Sequence, residues 1–190
     1  MIAMPAEVPS GGSFTESPRD TLVHADALYH LARHLTGNAS DAEDLVQETY
    51  SRALEAWGRL EPGSNVRAWL FRILRNAFIS RRRHEGRWPA PDPYDTTESS
   101  PQAAGADDGW LRGDVELERM RQLVGAEIEA ALRTLSADAR MVILLDVDGF
   151  TEAEIAVVMA CAVGTVKSRL ARARAALRLK LAEYGREVGS

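Results

Sequence analysis

The chain has 190 residues, 45% hydrophobic and 27% charged, which are the proportions of a folded protein of one or two domains and exclude both a large multidomain enzyme and wholesale disorder. With 23 Lys and Arg against 28 Asp and Glu, a net charge of -5, a uniformly basic surface is excluded, so any nucleic-acid binding requires its cations to be clustered. One cysteine, Cys161, excludes an intramolecular disulfide and a cysteine-based zinc site, and no apolar run approaches ~18 residues or follows a basic start, so a cytoplasmic location with no direct membrane insertion is expected.

Residues 1–19 carry Pro5, Pro9, Gly11, Gly12 and Pro18 without an apolar period and are expected to form a disordered tail. From 20 to 88 apolar residues recur at helical spacing, as in Leu28, Leu31 and Leu35, then Leu45, Thr49 and Ala53, then Val66, Leu70, Ile73 and Ala77, which predicts a small helical bundle. The proline run after Trp88 breaks the period, and residues 89–113 read as a linker. The period returns over 114–184, in Leu117, Val124, Leu132, Val142, Ile155, Val166, Leu170 and Leu177. Nothing alternates like a strand. The expected fold is all-α, two small helical domains joined by a flexible linker.

Within the first bundle, Ser40 with Glu43 reads as a capping box opening a helix to Leu54, and Asp44, Gln47, Glu48 and Ser51 share one exposed face. Taken alone, that face is most simply a solvated one. Charge then reverses in the next segment: Arg67, Arg72, Arg75, Arg81, Arg82, Arg83 and Arg87 stand against Glu85 only, and the predicted helix over 66–83 that carries the first six also carries Trp69, Phe71 and Phe78. Aromatic rings beside arginines suit the stacking of unpaired bases, but Trp69 and Phe78 fit a core role equally well. Glu61-Pro62-Gly63-Ser64-Asn65, just upstream, is a turn-forming loop.

The segment 150–174 has the layout of a helix-turn-helix. Thr151 and Glu154 form a capping box for a short helix, a break follows at Ala160-Cys161-Ala162, and a second helix turns Val166, Leu170, Ala173 and Leu177 inward, leaving Lys167, Ser168, Ala171 and Arg172 outward. Short polar and cationic side chains near such a helix's N-terminus suit base edges in a major groove; the alternative is an ordinary amphipathic hairpin with a solvated cationic face. His30 and His34, at i and i+4, lack a further ligand at metal-site spacing and are read as incidental, so no metal is expected. Cys161 is read as a small buried apolar residue rather than a redox switch. No nucleotide loop, nucleophile elbow or paired-carboxylate signature is present, so neither catalytic residues nor cofactors are expected.

The stretches DAEDLVQETYSRAL, NVRAWLFRILRNAFISRRR and LRTLSADARMVILLDVDGFTEAEIAVVMACAVGTVKSRLARARAAL, in this order, resemble a bacterial sigma-70 family factor of the small extracytoplasmic function (ECF) type. The resemblance implies a sigma2 domain at 20–88 and a sigma4 domain at 114–184, with core RNA polymerase (its β′ clamp helices and β flap), promoter DNA and an anti-sigma factor as partners. It implies core-polymerase contacts at Asp41, Asp44, Gln47 and Glu48. Minus-10 contacts are implied at Ser64, Asn65, Arg67, Trp69, Arg75, Asn76, Arg82 and Arg83, and minus-35 contacts at Thr165, Lys167, Ser168, Arg169, Arg172 and Arg174. By the same analogy, the acidic linker would run through the polymerase RNA path. One departure stands out: Ala160 and Ala162 occupy turn positions where the family usually has Gly and Pro, and a left-handed alanine costs on the order of 1 kcal/mol against glycine. The rival readings are a free-standing helix-turn-helix regulator, which needs no acidic polymerase face, and a helical interaction or metal-binding protein using His30 and His34.

Overall fold

The computed structural model of the protein describes residues 17–61, 63–86 and 125–188, with side chains to 182; residues 1–16 of the expected tail and the whole of the expected linker lie outside them. Every regular element among the described residues is helical. A 3-10 segment, Pro18–His24, leads into α1 (Ala25–Thr36), followed by α2 (Ala39–Ala56) and α3 (Val66–His84). Helical residues 125–133 form α4, followed by α5 (Ala137–Val147), α6 (Glu152–Met159) and α7 (Val163–Val188).

Local chemistry sets the boundaries. Gly37 ends α1 in the left-handed region at φ 85°, where a side chain would be strained. Asn38 at once caps α2, its side-chain oxygen accepting from the Asp41 N–H at 2.8 Å. This corrects the expected Ser40–Glu43 box. The cap lies two residues upstream because asparagine is as good a cap as serine and directly follows the glycine stop. Ser40 is left inside the first turn. The Tyr50 hydroxyl donates to the Thr21 carbonyl at 3.0 Å and ties the 3-10 segment to α2.

Each half supplies an apolar face at helical spacing. Leu28, Leu31 and Leu35 of α1, Leu45 of α2, and Leu70, Phe71, Leu74 and Phe78 of α3 are buried, as are Met141, Val142 and Leu145 of α5, Ile155 and Val158 of α6, and Val166, Leu170 and Ala173 of α7. These residues belong to one contiguous cluster, because the two halves dock: α3 packs on α6 and α1 on α5. Two features lock the seam. Gly149, at φ 82°, closes α5 by donating to Asp146 O at 3.1 Å, while the Phe150 N–H reaches Leu145 O at 3.0 Å. This Schellman cap turns the Phe150 ring edge-on to Phe71, 4.8 Å between centroids. Arg140 of α5 donates to the carbonyls of Leu132 (2.9 Å), Arg133 (3.1 Å) and Leu135 (3.2 Å) behind α4, and to His34 O (2.9 Å) at the end of α1. One guanidinium thus satisfies carbonyls that two helix ends leave without intrahelical partners.

Candidate nucleic-acid interface

The helix-turn-helix is built by its caps. The Thr151 hydroxyl accepts from the Glu154 N–H at 3.3 Å, and the Glu154 carboxylate accepts from the Thr151 N–H at 2.7 Å, so the expected capping box is present. Hydrogen bonds from the Thr151 backbone and hydroxyl hold the Glu154 carboxyl below its ordinary value. At the far end of α6, Ala160 is left-handed (φ 49°, ψ 47°). Its N–H donates to Val157 O at 3.3 Å and that of Cys161 to Ala156 O at 3.1 Å, again a Schellman cap, here closed by alanine. Cys161 is half-buried, and burial pushes its thiol up against the pull of Arg169 and Arg75, which leaves it less thiolate than an exposed cysteine.

In α7, Val166, Leu170 and Ala173 are buried, whereas Lys167, Ser168, Ala171 and Arg172 are exposed, the division the periodicity predicts. Lys167 lies 3.5 Å from Glu152, Ser168 Oγ donates to Thr165 O at 3.0 Å, and Arg172 Nε donates to Ser168 O at 3.3 Å. Arg174 pairs with Asp146 at 2.6 Å and Arg169 with Asp138 at 3.2 Å. Arg169 therefore stands apart from the outward group, half-buried toward α5.

In the first half, Asn65 caps α3 by accepting from the Ala68 N–H at 2.9 Å, and its side-chain amide donates to Glu154 at 2.6 Å. Arg67 donates to Asp148 O at 2.7 Å and lies over the Phe150 ring, 4.0 Å from its centroid, a cation–π distance. Trp69 is half-exposed and meets Trp57 edge-on at 5.9 Å, whereas Phe71 and Phe78 are core. Of the two residues left open between packing and stacking, Phe78 is therefore core, whereas Trp69 is only partly buried. Arg75, its side chain 13% exposed, lies 3.9 Å from Asp138, and desolvation lowers its pKa against the opposing attraction of Asp138. Asn76 and Arg83 are exposed, Ser64 is half-buried beside the turn at Gly63, and Arg82 is half-buried with its guanidinium 5.8 Å from the Phe78 ring.

On α2, Asp41, Asp44, Gln47 and Ser51 are exposed on the expected face. Glu48 is half-buried, shared between Arg81 of α3 (2.6 Å) and Arg52 (2.5 Å). Burial lowers the His34 pKa, and among the described residues no group of three metal-ligating side chains occurs. Sequence reasoning missed Asp138, Asp148 and Arg140: in the sequence they look like ordinary surface charges, whereas in the fold Asp148 meets Arg67, Asp138 lies between Arg75 and Arg169, and Arg140 reaches carbonyls of α4, the turn after it and the end of α1.

Comparison with known proteins converges on one family. The Sigma-70 region 2 family matches residues 22–87, and the Sigma-70 region 4 family matches residues 125–177. The ECF RNA polymerase sigma factor EcfG of Rhodopseudomonas palustris is 40% identical over 91% of this chain and 90% of its own length. The ECF RNA polymerase sigma factor SigE of Mycolicibacterium smegmatis is 36% identical over 87% of this chain, which spans 61% of that protein. Among solved structures, the sigma factor RpoE of Bartonella quintana in complex with the anti-sigma factor NepR aligns at TM-score 0.62 with 32% identity, covering 86% of this chain and 94% of that one. CnrH in complex with the cytosolic domain of CnrY aligns at 0.61 with 26% identity, covering 87% and 86%. With both regions matched in order and EcfG aligned at 40% identity along 90% of its length, the chain belongs to the ECF group of the sigma-70 family of RNA polymerase sigma factors.

Proposed function

We propose that this protein directs core RNA polymerase to promoters through three of its surfaces. The exposed face of α2, with Asp41, Asp44, Gln47 and Glu48, docks on the β′ clamp helices. The turn at Ser64 and Asn65, together with the arginines and Trp69 of α3, captures and holds the melted minus-10 strand. The start of α7 enters the minus-35 major groove, where Thr165, Lys167, Ser168 and Arg172 meet base edges and Arg169 and Arg174 meet phosphates. The sigma4 domain also meets the β flap, and polymerase itself performs the chemistry. An anti-sigma factor is a proposed partner because two similar sigma factors have been solved bound to NepR and to CnrY. The proposed working place is the cytoplasm; no described helix is long and apolar enough to cross a membrane.

The observation that carries this reading is the coexistence of two separate cationic helices, α3 and α7, with an acidic helix face on one chain. A free-standing helix-turn-helix regulator needs only α7. The test uses holoenzyme assembled with Lys167→Ala, Arg172→Ala or Arg178→Ala, titrated against a panel of minus-35 mutants at several salt concentrations. Loss of a base reader should cost ~1–3 kcal/mol and relax preference at one or two positions, whereas Arg178→Ala should weaken all sequences alike and lower the salt slope by about 1. Uniform losses in all three would remove α7 as the reader.

A further inference from the structure

The cations at the start of α7 differ in where they find an acid. Arg169 and Arg174 turn back to Asp138 and Asp146 of α5, at 3.2 and 2.6 Å. Lys167 instead meets Glu152, the first residue of α6, with its ammonium 3.5 Å from the carboxylate. Both side chains stay in solvent, 63% and 45% exposed, and an ion pair so exposed contributes little to stability. Glu152 also takes no part in capping its own helix, because Thr151 and Glu154 complete the box between themselves.

This is an unfavourable place for a carboxylate on a DNA-binding surface. In a helix-turn-helix the first helix crosses the phosphate backbone while the second enters the major groove, and an acid at the start of the first repels phosphates. Beside a base-reading ammonium, however, a carboxylate has a favourable counterpart in the groove, an amino hydrogen. A G·C pair offers the complement of both heads: guanine presents O6 and N7 as acceptors, and cytosine presents the N4 hydrogen that base pairing leaves unused. O6 and N4 are joined by a hydrogen bond of the pair and so lie ~2.7–3.2 Å apart, close to the 3.5 Å between the Lys167 and Glu152 heads. A T·A pair has the same order of acceptor and donor, but thymine gives the ammonium one acceptor and sets a methyl group beside it.

We propose that Glu152 is a specificity-determining residue of the minus-35 reader, which accepts from cytosine N4 while Lys167 donates to the guanine of the same pair. The proposal rests on the assignment of α7 to the minus-35 groove made above and extends that site onto α6. The carboxylate has a second effect: by repelling phosphates it keeps Lys167 on the base edge and lowers affinity for DNA of arbitrary sequence.

The experiment uses holoenzyme assembled from core polymerase and the full chain, carrying Glu152→Ala, Glu152→Gln, Lys167→Ala or, as the control for loss of one negative charge, Glu55→Gln, an exposed acid on α2. Duplexes bound from a pool randomised across the minus-35 region are sequenced, and affinities are measured on the selected sequence and its single-pair variants. At the pair where Lys167→Ala relaxes a preference for G·C, Glu152→Ala should lower the ratio of G·C to C·G binding about tenfold, as expected for loss of one good base contact. Binding to a scrambled duplex should rise in the same variant. Glu152→Gln keeps an acceptor and should retain part of the preference, and Glu55→Gln should leave the ratio unchanged. N4-methylcytosine at that pair, whose methyl group replaces the groove-side hydrogen and spares the pairing one, should weaken the wild type and leave Glu152→Ala indifferent. The proposal is overturned if Glu152→Ala keeps the wild-type ratio, if N4-methylcytosine weakens both proteins alike, or if the pair relaxed by Lys167→Ala is not G·C. Failure of the α7 assignment looks different: Lys167→Ala and Arg172→Ala would then relax no preference at any pair.

Discussion

Arg140→Met keeps the aliphatic stem of Arg140 and removes every donor, so it isolates what the guanidinium contributes. Four carbonyls lose a donor, at 2.9, 2.9, 3.1 and 3.2 Å, though Leu132 O keeps the Leu135 N–H. A typical net hydrogen bond contributes ~0.5–1.5 kcal/mol, which over four bonds gives roughly 2–6. The site is only half-buried, so water reaches some of the released carbonyls and the lower part of that range applies, about 2–3 kcal/mol. In a chain of this size, that lowers Tm by roughly 5–10 °C. Equilibrium urea unfolding followed by circular dichroism, with the slope m compared between variants, measures it directly. Arg140→Lys should recover only part of the loss, because an ammonium is a point donor that cannot span two helix ends. A loss below about 0.5 kcal/mol in Arg140→Met would refute the view that this residue staples α1 to α4.

Three further outcomes are expected. Ala160→Gly should stabilise the chain by about 0.5–1 kcal/mol in the same assay, since relief of the left-handed strain exceeds the extra freedom that glycine gives the unfolded chain, and Ala160 is exposed, so no packing is lost. Asp44→Lys should weaken binding to core polymerase without changing the unfolding midpoint, whereas Glu48→Lys should do both because Glu48 also anchors Arg81; wild-type core affinity in Asp44→Lys would count against the α2 assignment. Burial holds the folded-state pKa of His34 below 6.5, so its contribution to stability is complete above that pH and is lost as pH falls through 6.5 toward the folded-state value, where the unfolded chain binds the proton first. His34→Gln should flatten that part of the urea-midpoint profile relative to wild type, and an unchanged profile would assign the pH dependence to other groups.

Helix positions were legible because a buried stripe repeats every three or four residues regardless of partner. Phe71, Leu74 and Phe78 share one phase on α3, which assigns Phe78 to the core once the neighbouring helices are in place. The Thr151–Glu154 box was legible because both of its members lie within one turn. The Asn38 cap was not, since Ser40–Glu43 satisfies the same local pattern and only the stop at Gly37 decides between them. The docking was illegible for a different reason: neither periodicity nor propensity says that Arg67 meets Asp148 across 81 residues or that Asn65 meets Glu154 across 89.

Those separations also bear on the order in which the protein assembles. The contacts that close the halves join residues 81, 89 and 106 positions apart, whereas the helix contacts inside each half are mostly short in sequence. Loop-closure entropy grows by about 0.6 kcal/mol per doubling of length, so a contact across 90 residues costs roughly 3 kcal/mol more to nucleate than one across a single helical turn. Each bundle therefore forms ahead of the seam, and the Phe71–Phe150 and Arg140–His34 contacts come last. During synthesis the α1–α3 unit emerges first, with Phe71 and the arginines of α3 not yet covered, and it remains so until α5 and α6 have been made.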